Sequence, residues 1–302
     1  MSSLLISHQD VIKHSRNMPI FPRIVSEILA TLDDPDANLN LLVRYINLDP
    51  VISARVLSVA NMAAVRGRRD SEVQDIFTAT SLVGMSRVRH ITMISSLGAY
   101  VGGLSQGAMP CSFWQHNVAV GICCEELAMH VDAPVSTDAA LVAGLLHDIG
   151  QLWLFGYNAE ATRKCWHAAH SEKRCIAQVE LEMFGVDHTT IGAWLAQYWG
   201  LPLGIDAAIQ GHHAPDLSVN LGPTANLVAL VHVAEVLSNA LDLTGRAQNQ
   251  VTTLSAGACR RLGLVWDNDI RSLFGRLEAR SSHANSFFSA PIQQEPRHVP
   301  EL

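Results

Sequence analysis

Positive charge is scarce in this 302-residue sequence, which has 21 lysines and arginines against 28 aspartates and glutamates, giving a net charge of −7. A protein that binds nucleic acid without specificity for the base sequence needs clustered cations to neutralise phosphates. The local basic groups are Arg66-Gly-Arg68-Arg69 and Arg87-Val-Arg89, and we interpret both as solvated faces. We therefore expect no general binding of nucleic acid.

Long apolar runs and paired cysteine motifs are also absent from the sequence. No stretch of about 18 uninterrupted apolar residues is available to cross a bilayer, and the first residues lack the apolar run of a signal peptide. The six cysteines show no C-x-x-C spacing, so they are typical of buried thiols in a reducing compartment and not of a disulfide framework. These absences predict a soluble, cytoplasmic protein that does not bind membranes.

Apolar residues, by contrast, make up 48% of the sequence, and few of them are aromatic. Alanine and leucine dominate, alternating strand patterns are scarce, and apolar residues recur at helical spacing almost throughout. This pattern predicts an all-α protein with two helical lobes. The stretch 102–110, rich in glycine and closed by a proline, is the best candidate for a boundary. We expect an N-terminal helical bundle over 1–105, a second helical lobe over 111–242, further helices over 243–280 and a disordered tail over 281–302.

A histidine and an aspartate stand side by side at the end of the apolar run 141–150, as His147 and Asp148. A neutral imidazole nitrogen and a carboxylate oxygen are both common metal ligands. A His-Asp pair at a helix end is also an ordinary feature of a capped helix terminus. The pair alone leaves both interpretations open, so the positions of the other histidines have to decide between them.

Further candidate ligands lie on apolar helix faces or near helix ends. His116 is on the apolar face of a predicted helix, a position that a histidine of the core also occupies. His188 begins a predicted helix, and His212 and His213 follow a glycine at a helix end. Glu235 stands among aliphatic residues, where a buried carboxylate needs a partner or a metal. The helices of one bundle can direct such groups to a common centre, and a mixed imidazole and carboxylate set suits Fe, Mn or Zn.

The order of these residues resembles that of the metal-dependent phosphohydrolases of the HD superfamily. The wider chain resembles the HDOD family, a bacterial signalling branch of that superfamily, over roughly residues 15–245. The resemblance is carried by Met18-Pro-Ile-Phe-Pro22, Ile46-Asn-Leu-Asp49-Pro50, Arg55-Val-Leu-Ser-Val-Ala-Asn61, Gly144-Leu-Leu-His-Asp-Ile-Gly150, Phe184-Gly-Val-Asp-His188 and Tyr198-Trp-Gly-Leu-Pro202.

This resemblance implies an all-helical module in which an N-terminal lobe is joined to an HD-like lobe. It also implies a first metal held by His116, His147, Asp148 and Glu235. As in the cyclic-dinucleotide phosphodiesterases with the HD-GYP signature, a second metal would be held by His188, His212 and His213. In such a binuclear site, Asp148 would be the catalytic residue.

Two departures from the HD-GYP pattern argue against efficient hydrolysis. Gln151 stands where that pattern has a lysine that can donate a proton or hold phosphate. The Gly-Tyr-Pro loop is also missing, because His213 is followed by Ala214 and Pro215. Glu235 replaces the usual aspartate and can still bind a metal ion, one methylene further out.

Three functions stay open at this point. The first is a signal-transduction regulator that acts mainly by binding, with signalling proteins as partners and a nucleotide or cyclic dinucleotide as ligand. The second is a metal-dependent phosphohydrolase of phosphodiesters such as cyclic dinucleotides, or of nucleotides, in which paired metals activate a water molecule. The third is a structural scaffold whose histidines hold no metal. We favour the first.

Overall fold

The computed structural model is helical throughout its regular structure. The residues that it describes are 5–16, 22, 25, 39–47, 50–66, 73–105, 111–243, 253–266 and 268–289. No strand occurs in those ranges, so the predicted all-α fold class is confirmed. This class follows from the helical spacing of the apolar residues, because a helix with one apolar face is stable only when another element covers that face.

The first helix, α1 (His8–Ser15), lies on the second lobe. It begins at a capping box in which the Ser7 hydroxyl accepts the backbone N–H of Asp10 at 3.3 Å and the Asp10 carboxylate accepts the N–H of Ser7 at 2.9 Å. The helix packs against the helix His188–Tyr198, although the sequence places it within the predicted lobe 1–105. Periodicity shows that a short helix has an apolar face but not which partner will cover that face.

Four helices pack on one another in the N-terminal lobe, namely α2 (Leu39–Asn47), α3 (Pro50–Arg66), α4 (Ile76–Val83) and α5 (Met85–Ser105). Asp75 caps α4 by accepting the N–H of Thr78 at 2.7 Å. Gly84, with a φ of +89°, allows the sharp break between α4 and α5. The Asn61 amide holds the segment after α3, because it accepts the N–H of Val73 at 2.7 Å and donates to its carbonyl oxygen at 2.9 Å.

The second lobe is built around a close pair of helices, α6 (Cys111–Ala128) and α7 (Thr137–Leu146). Two glycines permit this approach, since a Cβ atom on Gly144 would lie 2.7 Å from the Cα atom of Gly121. Helix α5 touches this pair and so joins the two lobes. The rest of the lobe comprises α8 (Ile149–Glu172), α9 (Ile176–Phe184), α10 (His188–Tyr198), α11 (Leu203–Gly211), a 3-10 helix (Pro215–Leu221) and α12 (Thr224–Ala240).

Two helices, α13 (Ala256–Leu262) and α14 (Asn268–Ser289), follow the second lobe. Helix α14 packs along α6 and buries Leu273 and Leu277. Ser281 is buried as well, so the helix continues past the start of the predicted tail at 281. The polar composition there does not end the helix, because its packed face extends to Ser281. Residues 290–302 lie outside the described part of the chain.

The first residues of the predicted boundary stretch 102–110 belong to a helix. Helix α5 runs to Ser105, so Gly102 and Gly103 are helical. Glycine inside a helix costs only about 1 kcal/mol relative to alanine, and the packing of a long helix can offset that cost. Residues 106–110 are outside the described ranges.

A buried ion-pair network joins α5, α6, α7 and α14. His90 on α5 contacts Glu125 of α6 through Nδ1 and Asp138 of α7 through Nε2, both at 2.8 Å. Arg280 of α14 binds the same Glu125 at 2.6 Å and Glu126 at 2.5 Å. Because each buried charge has a partner, the network fixes the N-terminal lobe, the second lobe and the C-terminal helix to one another.

This network predicts that the protein loses stability as the pH rises above neutral. Burial lowers the pKa of His90, but hydrogen bonds to Asp138 and Glu125 outweigh burial, so the pKa lies above its usual value. The stabilisation is complete below the unfolded-state pKa of about 6.5 and is lost as the pH rises through the raised folded-state pKa. Between pH 6 and 9, urea unfolding should show a larger loss of stability for the natural protein than for His90→Gln. Equal losses would contradict this role of His90.

The cysteines confirm the sequence prediction in part. Cys123, Cys124 and Cys165 are buried free thiols, whereas Cys175 is a free thiol that is exposed. Cys175 occupies the N-cap position of α9, where the chain turns at the surface, and a surface turn leaves a side chain open to solvent. Cys111 has no described side chain.

One helical stretch, Thr137–Glu172, is long and apolar enough to cross a membrane by length and composition alone. Its most apolar window is 89% buried inside the fold. The core helix of a soluble protein passes the same test, so the stretch is weak evidence for a membrane span. In this fold it supplies α7 and α8.

Candidate metal centre

The seven candidate ligands come from separate parts of the second lobe and meet in its interior. His147 ends α7 and Asp148 is the N-cap residue of α8, while His188 begins α10. His212 and His213 directly follow α11. The remaining two lie within helices α6 and α12 and are His116 and Glu235. The five residues at helix ends come together because each of these helix ends faces the same interior space.

A first cluster consists of Asp148, His188, His212 and His213, whose ligand atoms all lie within 4.8 Å of one another. Asp148 Oδ1 is 3.3 Å from His188 Nε2 and 3.8 Å from His212 Nε2. His213 Nε2 is 3.1 Å from His188 Nε2. Two imidazole nitrogens so close must share a proton or a cation. Three imidazoles and one carboxylate form a ligand set that suits a divalent transition metal.

A second cluster consists of His116, His147 and Glu235, whose ligand atoms also lie within 4.8 Å of one another. The imidazole rings of His116 and His147 have centroids 5.3 Å apart. Glu235 Oε2 is 3.8 Å from Nδ1 of His213, a member of the first cluster. The two clusters therefore adjoin and form one centre.

Asp148 stands between the two clusters. The resemblance implies instead that it binds only the metal held by the residues of the second cluster. Its Oδ2 atom is 3.5 Å from His147 Nε2, and its Oδ1 atom faces His188 of the first cluster. The reason lies in the packing of α8 on α10. Gly150 permits this packing, since a Cβ atom there would lie 1.9 Å from the carbonyl oxygen of His188.

Backbone carbonyl groups orient two of the histidines. His147 Nδ1 is 2.8 Å from the carbonyl oxygen of Gly144, and His212 Nδ1 is 2.8 Å from that of Ile209. Since a carbonyl oxygen only accepts hydrogen bonds, each Nδ1 carries the proton and donates it. The Nε2 atom of each ring is then an acceptor with its lone pair directed at the cluster, which is the tautomer that metal ligation requires.

Glu180 on α9 orients a third histidine, and the sequence analysis did not identify it. Glu180 is fully buried, and its Oε2 atom accepts the backbone N–H of His188 at 2.9 Å and lies 2.5 Å from His188 Nδ1. A carboxylate on the second nitrogen of a ligating histidine fixes the ring and raises its basicity. A signal was present in the sequence, because Glu180 shares the apolar face of α9 with Ile176 and Phe184 at i, i+4 spacing.

The electrostatics of the centre keep two histidines neutral. Burial, followed by the charge of His147, lowers the pKa of His116 to about 4. Burial, followed by the charge of His188, lowers the pKa of His213 to about 3. Neutral imidazole is the form that binds metals, so these rings need no deprotonation at neutral pH before they can act as ligands.

Two other groups depart from their usual pKa in the opposite direction. Burial, followed by the charge of Asp148, raises the pKa of Glu235 to about 8. Burial lowers the pKa of His188, but the charge and hydrogen bond of Glu180, together with the charges of Asp148 and Asp187, outweigh burial and raise the value to about 10. Both groups therefore hold a proton at neutral pH, and a cation that binds them displaces it.

The buried atoms without hydrogen bonds test directly whether these residues fit a divalent metal, and they do. Each unsatisfied buried polar atom costs about 1–3 kcal/mol. Among the described atoms of the seven candidate ligands, four that are buried lack a hydrogen-bond partner, namely His147 Nε2, Asp148 Oδ1, His212 Nε2 and Glu235 Oε2. All four are ligand atoms of the two clusters, and a cation would satisfy each of them.

Gln151 has a packing role in this fold. It is buried on α8, and its Oε1 atom accepts a hydrogen bond from Trp166 Nε1 at 3.1 Å. A neutral amide that is engaged with an indole supplies neither a proton nor a charge to a phosphate group. After the paired histidines, Pro215 starts the 3-10 helix Pro215–Leu221 in place of a Gly-Tyr-Pro loop.

Comparison with known proteins identifies the family. The HDOD domain family model matches residues 18–215. The chain belongs to the HDOD family. An uncharacterised protein of Treponema pallidum (strain Nichols) is 24% identical to it over 218 residues, which are 72% of this chain. The chain spans only 42% of the length of that curated relative.

Solved structures share the HDOD fold over almost the whole chain. An HDOD domain protein of unknown function from Geobacter sulfurreducens has a TM-score of 0.71 and 22% identity, and covers 91% of this chain and 96% of its own. A Marinobacter aquaeolei VT8 protein, provisionally named a signal transduction protein, has the same TM-score and the same identity. The match covers 95% of this chain and 62% of the Marinobacter chain. A Shewanella amazonensis SB2B protein, provisionally named a phosphohydrolase, has a TM-score of 0.63 and 24% identity. The match covers 90% of this chain and 93% of the Shewanella chain. At these identities the likeness establishes the fold.

Proposed function

We propose that this chain is a cytoplasmic regulator in bacterial signal transduction whose second lobe holds divalent transition metal. The metal is Fe, Mn or Zn, and each of the two clusters holds one ion. The regulator acts mainly by binding, with signalling proteins as its partners and a nucleotide or cyclic dinucleotide as its ligand. Membership of the HDOD family and the provisional name of the Marinobacter relative support the signalling role.

The observation that carries the metal proposal is the set of buried ligand atoms without hydrogen bonds. A core that evolved only for packing would pair such atoms or replace them with apolar groups. Here the surrounding groups instead direct lone pairs inward, through the Gly144 and Ile209 carbonyls and through Glu180. A structural scaffold without metal would leave these atoms unsatisfied.

The metal, when bound, would supply positive charge that attracts phosphate groups and activates water. His147 and His212 contribute Nε2 atoms, and Glu180 holds the ring of His188 in place. Asp148 offers one oxygen to each cluster. These groups together form a preorganised site for an anionic, phosphorylated ligand.

Metal-dependent phosphohydrolysis of phosphodiesters such as cyclic dinucleotides, or of nucleotides, is the second candidate function. The position of Asp148 between two clusters favours it, because paired ions in hydrolases hold both the attacking and the leaving oxygen. Asp148 would then be the catalytic residue. Gln151 argues for the first candidate, since its amide is engaged with Trp166 and no lysine stands in its place.

Metal analysis followed by a turnover assay tests the proposal. The purified protein, with Mn or Fe restored, is expected to contain bound metal and to bind a cyclic dinucleotide while hydrolysing it slowly. A missing preorganised donor costs about 10²–10³ in rate in other enzymes. Brisk turnover by the natural protein would make hydrolysis its function, and absence of metal after reconstitution would overturn both candidates.

Gln151→Lys gives a sharper comparison within the same assay. Any change in turnover should be an increase, up to about 10²-fold, because the lysine adds the charge and proton of the HD-GYP pattern. The matched control is Gln178→Lys, which adds the same charge at an exposed position of α9 and should change nothing. Faster turnover in both variants would show that added charge acts nonspecifically.

A further inference from the structure

His232 lies on α12 and uses both of its ring nitrogens in hydrogen bonds, although it is outside the two metal clusters. It is buried. Its Nδ1 atom is 2.8 Å from the carbonyl oxygen of His212, and its Nε2 atom is 3.0 Å from the backbone nitrogen of Ser255. A carbonyl oxygen only accepts and a backbone N–H only donates, so Nδ1 carries the ring proton and Nε2 does not. The neutral ring therefore joins two separate segments of the chain.

The carbonyl group that His232 binds stands at the end of α11, where the helix itself supplies no partner. The last four carbonyl groups of a helix lack intrahelical hydrogen bonds, and His212 is the C-cap residue of α11. The hydrogen bond from His232 fixes the peptide between His212 and His213, which are both ligands of the first cluster. A shift of this peptide would move both imidazole rings at once.

Close packing between α11 and α12 holds His232 against this peptide. A Cβ atom on Gly211 would lie 2.7 Å from Cγ1 of Val228 and 2.7 Å from the Ser218 hydroxyl oxygen, so the end of α11 lies directly on α12. Val228 and His232 are four residues apart and share one face of α12. The same face therefore contacts the end of α11 at Gly211 and again at His212.

The Nε2 atom of His232 connects this face to the segment that precedes α13. Ser255 is the N-cap residue of α13, and its hydroxyl donates to the Asp216 carboxylate, whose two oxygens lie 2.8 and 3.0 Å away. Asp216 is three residues after His213 and belongs to the 3-10 helix. A Cβ atom on Gly257 would overlap the Asp216 carboxylate, so this glycine permits the approach. Two contacts therefore attach the start of α13 to the turn that carries the paired histidines.

We propose that His232 is a positioning residue of the first metal cluster, which holds His212 and His213 in place and couples them to the segment before α13. This inference rests on the proposed function, because it requires a metal ion in the first cluster. Helix α12 also carries Glu235, a ligand of the second cluster. One helix thus supplies a ligand to one ion and the support for the ligands of the other. Displacement of α13 would weaken the binding of the first ion through this connection.

Two conservative substitutions separate the two hydrogen bonds of His232. In His232→Asn, the amide nitrogen takes the place of Nδ1 and can still donate to the His212 carbonyl, while the contact with Ser255 is lost. In His232→Gln, the amide oxygen takes the place of Nε2 and can still accept from Ser255, while the contact with His212 is lost. We expect the first variant to keep its metal affinity. The second should bind metal about 10–100-fold more weakly, the usual cost of removing a partner outside the ligand set.

The measurement is the affinity of the full-length protein for Co²⁺ in competition with a chelator, followed by the visible absorption of the bound ion. This absorption depends on the coordination geometry, so His232→Gln should change the spectrum and His232→Asn should preserve it. His116→Ala removes a ligand of the second cluster, and the Co²⁺ that remains in this background should respond to His232→Gln in full. His212→Ala removes a ligand of the first cluster, and the Co²⁺ that remains there should not respond.

His167→Gln changes an exposed histidine of α8 and is the matched control, which should alter neither affinity nor spectrum. Asp216→Ala keeps the test valid if the His232 variants fail to fold by circular dichroism, because Asp216 is exposed. It releases the segment before α13 and should weaken the first ion by roughly two- to tenfold, the effect of one hydrogen bond. Its control is Glu278→Ala, which removes an exposed carboxylate of α14 and should have no effect.

Equal affinities and equal spectra in His232→Asn and His232→Gln would overturn this role, because a residue that only stabilises the fold would not distinguish the two bonds. An equal response in the His116→Ala and His212→Ala backgrounds would overturn it as well. If the natural protein binds Co²⁺ and His232→Gln binds it equally well, this inference fails while the metal proposal stands. If the natural protein binds no Co²⁺, both fail.

Discussion

Replacing Gly150 with alanine is expected to destabilise the protein by about 3 kcal/mol and to weaken metal binding. The added Cβ atom would lie 1.9 Å from the carbonyl oxygen of His188 and 2.8 Å from the backbone nitrogen of Gly192. Backbone atoms cannot rotate away as a flexible side chain can, so α8 and α10 must move apart. Overpacking of this kind costs roughly 1–3 kcal/mol, and more where the contact is with backbone. The same movement shifts His188 relative to Asp148 and opens the first cluster.

Gly156→Ala is the matched control, since it adds the same methyl group to the same helix. Its Cβ atom would meet only His14 Nε2, at 3.9 Å. Alanine is favoured over glycine inside a helix by about 0.5–1 kcal/mol, so this variant should be slightly more stable than the natural protein. Urea unfolding and metal titration of both variants provide the measurement. Equal stability of the two variants would contradict the close packing of α8 on α10.

The fold class and the identity of the ligands could be predicted from the sequence because both depend on local patterns. Apolar residues at helical spacing identify a helix wherever it packs. A polar residue on an apolar helix face, such as Glu235, shows that the face meets something other than core. His212 and His213 follow the glycine that ends α11, and a helix end is likewise a local feature. No knowledge of the tertiary structure is needed for any of these.

The grouping of the ligands could not be predicted, because it depends on which helices touch. Asp148 follows His147 in the chain, yet it joins the first cluster because α8 packs on α10. That packing depends on Gly150 and on the backbone of His188, two positions far apart in sequence. Nothing in the spacing of residues along the chain carries this information.

The network around His90 was missed for the same reason. His90 is isolated in the sequence, because no aspartate or glutamate occurs between Asp75 and Glu125. Its partners, Glu125 and Asp138, come from α6 and α7, and Arg280 comes from the end of the described chain. A charge whose partners lie on two other helices leaves no local pattern. The packing of α1 on α10 is a further contact that only the tertiary structure shows.

Replacing Asp148 with alanine is expected to remove metal from both clusters, whereas loss of any other ligand should affect one cluster. Asp148 is the residue with one oxygen near His147 and the other near His188. Loss of a partner outside the ligand set already costs about 10–100-fold in metal affinity, so loss of a shared ligand should cost more than that. Elemental analysis should find close to no metal in Asp148→Ala. It should find about half of the natural content in His116→Ala and in His212→Ala, which each belong to one cluster.

The exposed His170 at the end of α8 provides the control, because His170→Ala removes an imidazole from the surface and should keep all of the metal. Thermal unfolding with and without EDTA then separates lost metal from a lost fold. A metal that binds only the folded state stabilises it by mass action, so EDTA should lower the melting temperature of the natural protein and of His170→Ala. It should leave that of Asp148→Ala unchanged. If Asp148→Ala still responds to EDTA and keeps half of its metal, then Asp148 serves only the first cluster, and the two ions do not share a ligand.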